Sequence, residues 1–310
     1  MDRQIEDISG FLETEGFEYA AAKNAVRTIH GIWKDLPSGI VILKKGMTNR
    51  SFLFECRGKK YIMRIPGEGT GQLINRHQEA AVYQAVNGKH ICDDVVYLNP
   101  ENGFKITVFL EGARVCNPKD ADDVQKCMSF LRAFHEMKQT VPYEFDIFAK
   151  IEFYESLWRG TASVYPDYQM VKKNVFSLKP YIDAHAEEKV LTHMDAVSDN
   201  FLFFQKGDKE DIRLIDWEYA GMQDSHADIA MFCIYALYDR SHVDMLIAAY
   251  FPEGCRRSIR IKIYCYIAAC GLLWSNWCEY KAKLGVEFGE YAKRQYAYAK
   301  DYYRIAEQEM

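Results

Sequence analysis

Two different periodicities divide the chain. Ile40 to Leu43 is a short apolar run, and beyond it Phe52, Phe54 and Cys56 alternate with polar residues. Arg57-Gly58 is turn-like, and Tyr61, Met63 and Ile65 resume the alternation. A period of two with one apolar side predicts a hairpin with one buried face. Val95 to Leu98 and Lys105 to Leu110 read as two further strands joined by Asn99-Pro100-Glu101-Asn102-Gly103. Leu73 to Val86 is predicted helical, and the first 36 residues are predicted to be helices packed beside this sheet.

Beyond Gly112 the spacing lengthens to that of a helix. Asn117-Pro118 offers an N-cap followed by a first-turn proline. Ala121, Val124, Met128, Leu131 and His135 then share one face. Further helices are predicted at 148–160, 167–184, 225–238, 241–250, 256–283 and 288–308. One hairpin interrupts them, with strands at Phe201 to Phe204 and Ile212 to Ile215 and a turn between. The pattern predicts a bilobal α+β protein: a small β-rich lobe over 1–110, then a large, mostly helical lobe over 111–310. Such an order of parts suggests a cleft between lobes.

Composition narrows the classes. The 310 residues carry 39 Lys+Arg against 44 Asp+Glu, a net charge of −5, which argues against nucleic acid or an anionic membrane as the main partner. Nine cysteines are scattered without a Cys-x-x-Cys pair or a zinc-ligand spacing, so free thiols in a reducing cytoplasm are expected. The acidic start, Met1-Asp2-Arg3-Gln4-Ile5-Glu6-Asp7, is unlike a signal peptide. The uncharged run Ile263 to Cys278 is shorter than a membrane span and reads as a core helix. Aromatic residues reach 14%, including 21 Tyr and 5 Trp, enough to build a cation-binding pocket as well as core.

The chemistry concentrates in His193-Met194-Asp195-Ala196-Val197-Ser198-Asp199-Asn200, followed by the hairpin and Leu214-Ile215-Asp216-Trp217-Glu218-Tyr219. Asp and Asn are ordinary turn residues. In the order His-x-Asp, four residues, Asn, hairpin, apolar pair, Asp, they supply what phosphoryl transfer from ATP requires. One carboxylate accepts the nucleophile's proton, and an amide oxygen with a second carboxylate holds Mg²⁺ against the phosphates. The hairpin returns Asp216 beside Asn200.

These motifs resemble the choline/ethanolamine kinase family, in particular its bacterial LicA-type choline kinases, within the aminoglycoside-phosphotransferase and protein-kinase-like fold. The resemblance extends to Gly46-Met47-Thr48-Asn49, Tyr61-Ile62-Met63-Arg64-Ile65-Pro66-Gly67, Leu73-Ile74-Asn75-Arg76, Trp274-Ser275-Asn276-Trp277 and Glu287-Phe288-Gly289-Glu290-Tyr291. It implies Asp195 as the base, Asn200 and Asp216 as Mg²⁺ ligands, and His193 as an organiser of the loop. It implies that Met47, Thr48 and Asn49 cover the ATP phosphates, that Arg64 reaches them, and that Glu79 holds Arg64. It implies that the segment Val108 to Glu111, with Phe109, meets adenine, and that Asp228 anchors the catalytic loop. The family loop commonly has Gly after the His and Pro before the acidic residue preceding Asn; here Met194 and Ser198 stand there.

Trp274 and Trp277 lie three apart on a predicted helix and share a face. Tryptophans at that spacing are usually core, but the resemblance puts this pair in the choline pocket. Two ring faces attract a quaternary ammonium by roughly 0.5–2 kcal/mol each. Glu218, Tyr219 and Tyr235 (or Tyr238) are expected to complete the cage. The expected reaction is ATP-dependent phosphorylation of choline, a small-molecule acceptor, with no obligate protein partner. Ethanolamine or another small amino-alcohol, an aminoglycoside, and a catalytically inactive nucleotide-binding module are the alternatives. Absence of an His-Arg-Asp loop or Ala-Pro-Glu segment disfavours a protein kinase.

Overall fold

The computed structural model describes residues 1–43, 49–67, 69–158, 160 and 162–310. These divide into two compact units, Met1–Ala113 and Arg114–Met310.

In the first unit, α1 (Asp2–Thr14) and α2 (Tyr19–Trp33) precede the sheet. The Glu18 side chain caps α2 by accepting from the amides of Ala20 and Ala21 at 3.0 and 2.7 Å. Strands β1 (Ser38–Ile42), β2 (Asn49–Cys56) and β3 (Lys59–Pro66) follow, then α3 (Thr70–Leu73), α4 (Arg76–Val86), β4 (Val95–Leu98) and β5 (Lys105–Val108). The five strands pair antiparallel in the order β1-β2-β3-β5-β4. Between β2 and β3, Arg57 and Gly58 both have positive φ (50° and 71°), the turn whose twist suits a two-residue hairpin. That register sets Phe52 opposite Met63 and Phe54 opposite Tyr61. The alternating apolar side of the sheet packs with Leu12, Val26 and Ile29 of α1 and α2 into one core.

The helix predicted over Leu73 to Val86 is two helices. Ile74 is extended, and the Asn75 side chain caps α4 by accepting from the amides of His77 and Gln78. An Asn is a strong N-cap, and here it restarts the helix rather than continuing it.

The second unit runs β6 (Arg114–Val115), α5 (Ala121–Glu136), α6 (Ile147–Leu157), α7 (Tyr168–Phe176), α8 (Lys179–Ala184), β7 (Val190–Thr192), β8 (Phe201–Lys206), β9 (Lys209–Leu214), β10 (Gly221–Gln223), α9 (His226–Tyr235), α10 (Arg240–Tyr250), α11 (Arg257–Lys283) and α12 (Glu290–Glu309). Helix α5 starts later than Asn117-Pro118 predicts: Asp120 is the cap, and Asn117 instead accepts from the amide of Lys119 in the preceding turn. The segment 167–184 is likewise split, because Pro180 has no N–H to donate and takes the first turn of α8. The β8–β9 hairpin is longer than expected and is joined by β6, while β7 pairs with β10.

Helix α11 is the spine of this unit, buried at nearly every position from Ile259 to Cys278. It lies against α12 so closely at Gly271 that a Cβ there would fall 2.7 Å from the Gln295 carbonyl oxygen. Among the described residues no helix is long and apolar enough to cross a membrane. All nine cysteines are free, and all but Cys255 are buried.

Candidate active site

The loop from His193 to Asn200 follows β7 and is fixed from beneath by α9. The fully buried Asp228 accepts from the His193 amide at 2.8 Å through Oδ2 and from the Met194 amide at 2.7 Å through Oδ1. His135 Nε2 lies 3.0 Å from the same Oδ2. A carboxylate bonded on both oxygens inside the core defines one backbone path, since any other leaves a charge unpaired. His193 Nε2 donates to the Ile215 carbonyl at 3.0 Å, and its Nδ1 accepts from the Asp195 amide at 3.3 Å. The neutral ring therefore ties the backbone carrying Asp195 to the residue before Asp216. The ring also meets Trp217 edge-on at 4.6 Å.

Two residues of these loops are left-handed: Met194 at φ 59° and Asp216 at φ 67°. The first explains the glycine common after this His in the family, because only glycine adopts that conformation without cost. Met194 does so with its side chain fully buried.

Asn200 closes the loop. Its Nδ2 donates to the Asp195 carbonyl at 2.9 Å and to Asp195 Oδ2 at 3.3 Å, and its own carbonyl accepts from the Ile215 amide at 2.9 Å. With Nδ2 committed inward, Oδ1 is the atom Asn200 offers to a ligand. Burial, then the charges of Asp216 and Glu218, push the Asp195 carboxyl well above the ordinary carboxylate range, against the opposing Asn200 hydrogen bond.

In the first unit Arg64, ending β3, and Glu79, on α4, form a forked pair at 2.5 and 2.8 Å. Both are buried, so this is not a surface ion pair. Arg64 also donates to the Gly103 carbonyl at 3.1 Å, and Arg76 bridges Glu79 at 2.8 Å to Asn49 Oδ1 at 3.3 Å. Burial would raise Glu79, but the charge and hydrogen bonds of Arg64, with Lys105 and Arg76, hold it down at about 2. Met47 and Thr48 lie outside the described residues. Phe109 commits its amide to the Lys60 carbonyl at 3.0 Å, and the exposed Glu111 carboxylate pairs with Lys60 at 3.2 Å.

Tyr219, Trp274 and Trp277 form one aromatic cluster. Trp274 meets Trp277 at 5.4 Å and Tyr219 at 5.3 Å, both edge-on, and Trp277 Nε1 donates to the Tyr219 hydroxyl at 3.2 Å. Phe288 adds a ring 5.1 Å from Trp277. Burial raises the phenols of Tyr154, Tyr219, Tyr235 and Tyr291, and the next cause differs between them: Asp195 for Tyr154, Tyr154 for Tyr219, Asp199 for Tyr235 and Cys278 for Tyr291. Tyr235 stands apart from the tryptophans: its hydroxyl donates to Asp199 at 2.8 Å and its ring meets Tyr291. Tyr154 has no sequence signal; it is one aromatic in an apolar helix, and only tertiary packing brings it here.

Comparison with known proteins agrees with this geometry. Residues 40–251 match the family profile of choline/ethanolamine kinases. Protein LicA of Haemophilus influenzae is 26% identical over 269 residues, 81% of this chain and 76% of that protein. The crystal structure of choline kinase LicA from Streptococcus pneumoniae superposes with a TM-score of 0.79 at 25% identity, covering 91% of this chain and 98% of that one. LicA in complex with AMP superposes at 0.76, also 25% identical, covering 92% and 98%. The kinase-like α+β fold, the Asp195 loop tied to Ile215, the residue before Asp216, and the matching profile together make this chain an enzyme of the choline/ethanolamine kinase family.

Proposed function

We propose that the protein transfers the terminal phosphoryl group of ATP to the hydroxyl of choline, giving phosphocholine and ADP. The observation that carries this reading is the Tyr219–Trp274–Trp277 cluster within the field of the Asp195 carboxylate. A quaternary ammonium cannot donate hydrogen bonds, so it is held by ring faces and by charge, at about 0.5–2 kcal/mol per ring. Glu218, buried beside Tyr219, supplies the opposite charge.

In this reading Asp195 accepts the proton of the choline hydroxyl as its oxygen bonds to phosphorus and the bond to the ADP oxygen breaks. The raised affinity of Asp195 for a proton suits a general base. Asn200 Oδ1 and the Asp216 carboxylate are hard oxygen donors of the kind Mg²⁺ takes, and they would hold it. Mg²⁺ bound there would neutralise phosphate charge. Arg64, fixed by Glu79, would face the ATP phosphates, and Asn49, Met47 and Thr48 would serve the same end. Because the Phe109 amide is already bonded, adenine would meet its carbonyl, with Glu111 contributing backbone only.

Ethanolamine is the second reading, favoured by the same Glu218: a primary ammonium needs a carboxylate acceptor as well as rings. The test is an ATP-dependent phosphorylation screen of choline, ethanolamine, thiamine and kanamycin read by mass spectrometry. Phosphocholine as the dominant product at equal acceptor concentration supports the proposal. Dominant phosphoethanolamine transfers it to the second reading, and a kanamycin phosphate or no ester at all overturns both.

A further inference from the structure

Arg64 on β3 and Lys105 on β5 stand directly opposite each other in the antiparallel register, so their side chains leave the sheet on the same face. Both are buried. On α4, Glu79 and Tyr83 are four residues apart, hence on one side of the helix, and both are buried as well. Arg64 takes Glu79 through the fork described above. Lys105 takes Tyr83: its ammonium donates to the Tyr83 hydroxyl, which donates in turn to Asp93 Oδ1 at 3.1 Å. Lys105 Nζ also lies 3.5 Å from Asp93 Oδ2 and closes the triangle. Two neighbouring cations of the sheet therefore hold two groups one turn apart on a single helix.

The second tie does what apolar packing does not. Val82 and Val86 already bury one side of α4, but such contacts are non-directional. A hydrogen-bonded cation is directional, and the interior admits a buried ammonium only when it is paired. With a single tie at Glu79, a helix 11 residues long can pivot about that pair; a second at Tyr83 removes the pivot. Asp93 has an anchor of its own, because the carbonyl of Asp94 beside it accepts from the Val108 amide at 2.9 Å, at the end of β5.

We propose that Lys105, acting with Tyr83 and Asp93, is a positioning residue of the nucleotide site. It fixes the rotation of α4, and so holds Glu79, and through Glu79 the Arg64 guanidinium, in place for the ATP phosphates. This inference rests on the reading above in which Arg64 faces those phosphates.

Tyr83→Phe removes the hydroxyl and leaves the Lys105–Asp93 pair. Its Kd for ATP with Mg²⁺, measured by calorimetry, should rise roughly tenfold, about the worth of one hydrogen bond. The Kd for adenosine, which has the base and no phosphate, should not move. In an Arg64→Gln background Tyr83→Phe should weaken ATP no further, because the tie acts through Arg64. Lys105→Met, which leaves Asp93 without its cation, should show the same split with a larger loss of melting temperature. Unchanged ATP affinity in Tyr83→Phe overturns the assignment. So does an equal weakening of adenosine, which marks a general loosening of this unit, or a full additional loss in the Arg64→Gln background. If Arg64→Gln itself leaves the preference for ATP over adenosine intact, Arg64 does not meet the phosphates, and the reading beneath this inference fails with it.

Discussion

Asn200 donates its side-chain amide to Asp195 twice, to the carbonyl at 2.9 Å and to Oδ2 at 3.3 Å. One residue thereby orients the carboxylate and braces the loop on which it sits. The five-residue spacing is what allows this, because the short 3₁₀ turn Ser198–Asn200 folds Asn200 back onto the start of the loop.

Asp195→Asn should lower turnover by roughly 10²–10⁴-fold, the usual worth of a general base, with ATP binding retained. Its melting temperature should equal or exceed that of the wild type. Burial and the neighbouring Asp216 and Glu218 charges disfavour the ionised carboxylate, and a neutral amide avoids that cost. Near-normal turnover, measured by ADP release with choline present, would remove Asp195 from the mechanism.

Glu79→Gln should destabilise the protein by about 3–5 kcal/mol at pH 7, because Arg64 and Arg76 are left buried against a neutral group. Glu79 is held at about 2 by Arg64 on β3, Lys105 on β5 and Arg76 on its own helix. A depressed carboxyl adds stability above its unfolded value and loses it as pH falls through the folded one. Wild-type stability should therefore drop between about pH 5 and pH 2, and Glu79→Gln should lack that part of the slope. Urea titrations of both proteins across this range measure the difference; parallel curves would show the pair to be worth little.

Met194→Gly weighs strain against packing. Left-handed backbone costs a non-glycine residue about 1–2 kcal/mol, whereas removing a buried Met side chain costs about 2–5 kcal/mol. The variant should be less stable by about 1–3 kcal/mol, with turnover nearly unchanged. A gain in stability would show that strain in the loop outweighs the packing of Met194.

Trp277→Phe keeps a ring but loses the bond to Tyr219. The choline KM should rise roughly threefold to tenfold, within the range of one cation–π contact, and the ATP KM should not move. Trp274→Ala should cost about 3–5 kcal/mol of stability as well, since it empties a core position. A melting-temperature loss with unaltered choline kinetics would assign both rings to packing alone.

Local signals carried much of the architecture. Alternation at Phe52, Phe54, Tyr61 and Met63 is a statement about one buried sheet face, and it needs no partner to be read. Helix interruptions were less legible. Asn75 and Pro180 act through caps and missing donors, which periodicity over a long window averages away. The Asn117-Pro118 start failed for a related reason: Asp120 competes as cap and wins.

The sequence by itself determined the order of parts and the local chemistry: strands before helices, and a His-x-Asp loop five residues from Asn and a hairpin away from Asp216. These depend on neighbours along the chain, so spacing encodes them. Only the tertiary structure decided what Asp195 meets. Asp228 reaches the His193 amide across 35 residues, Trp277 bonds Tyr219 across 58 residues, and Tyr154 arrives on a helix whose pattern marks it as ordinary core. Such contacts form because α9 and α11 bury their apolar faces together with α6, and that packing fixes positions no local pattern records.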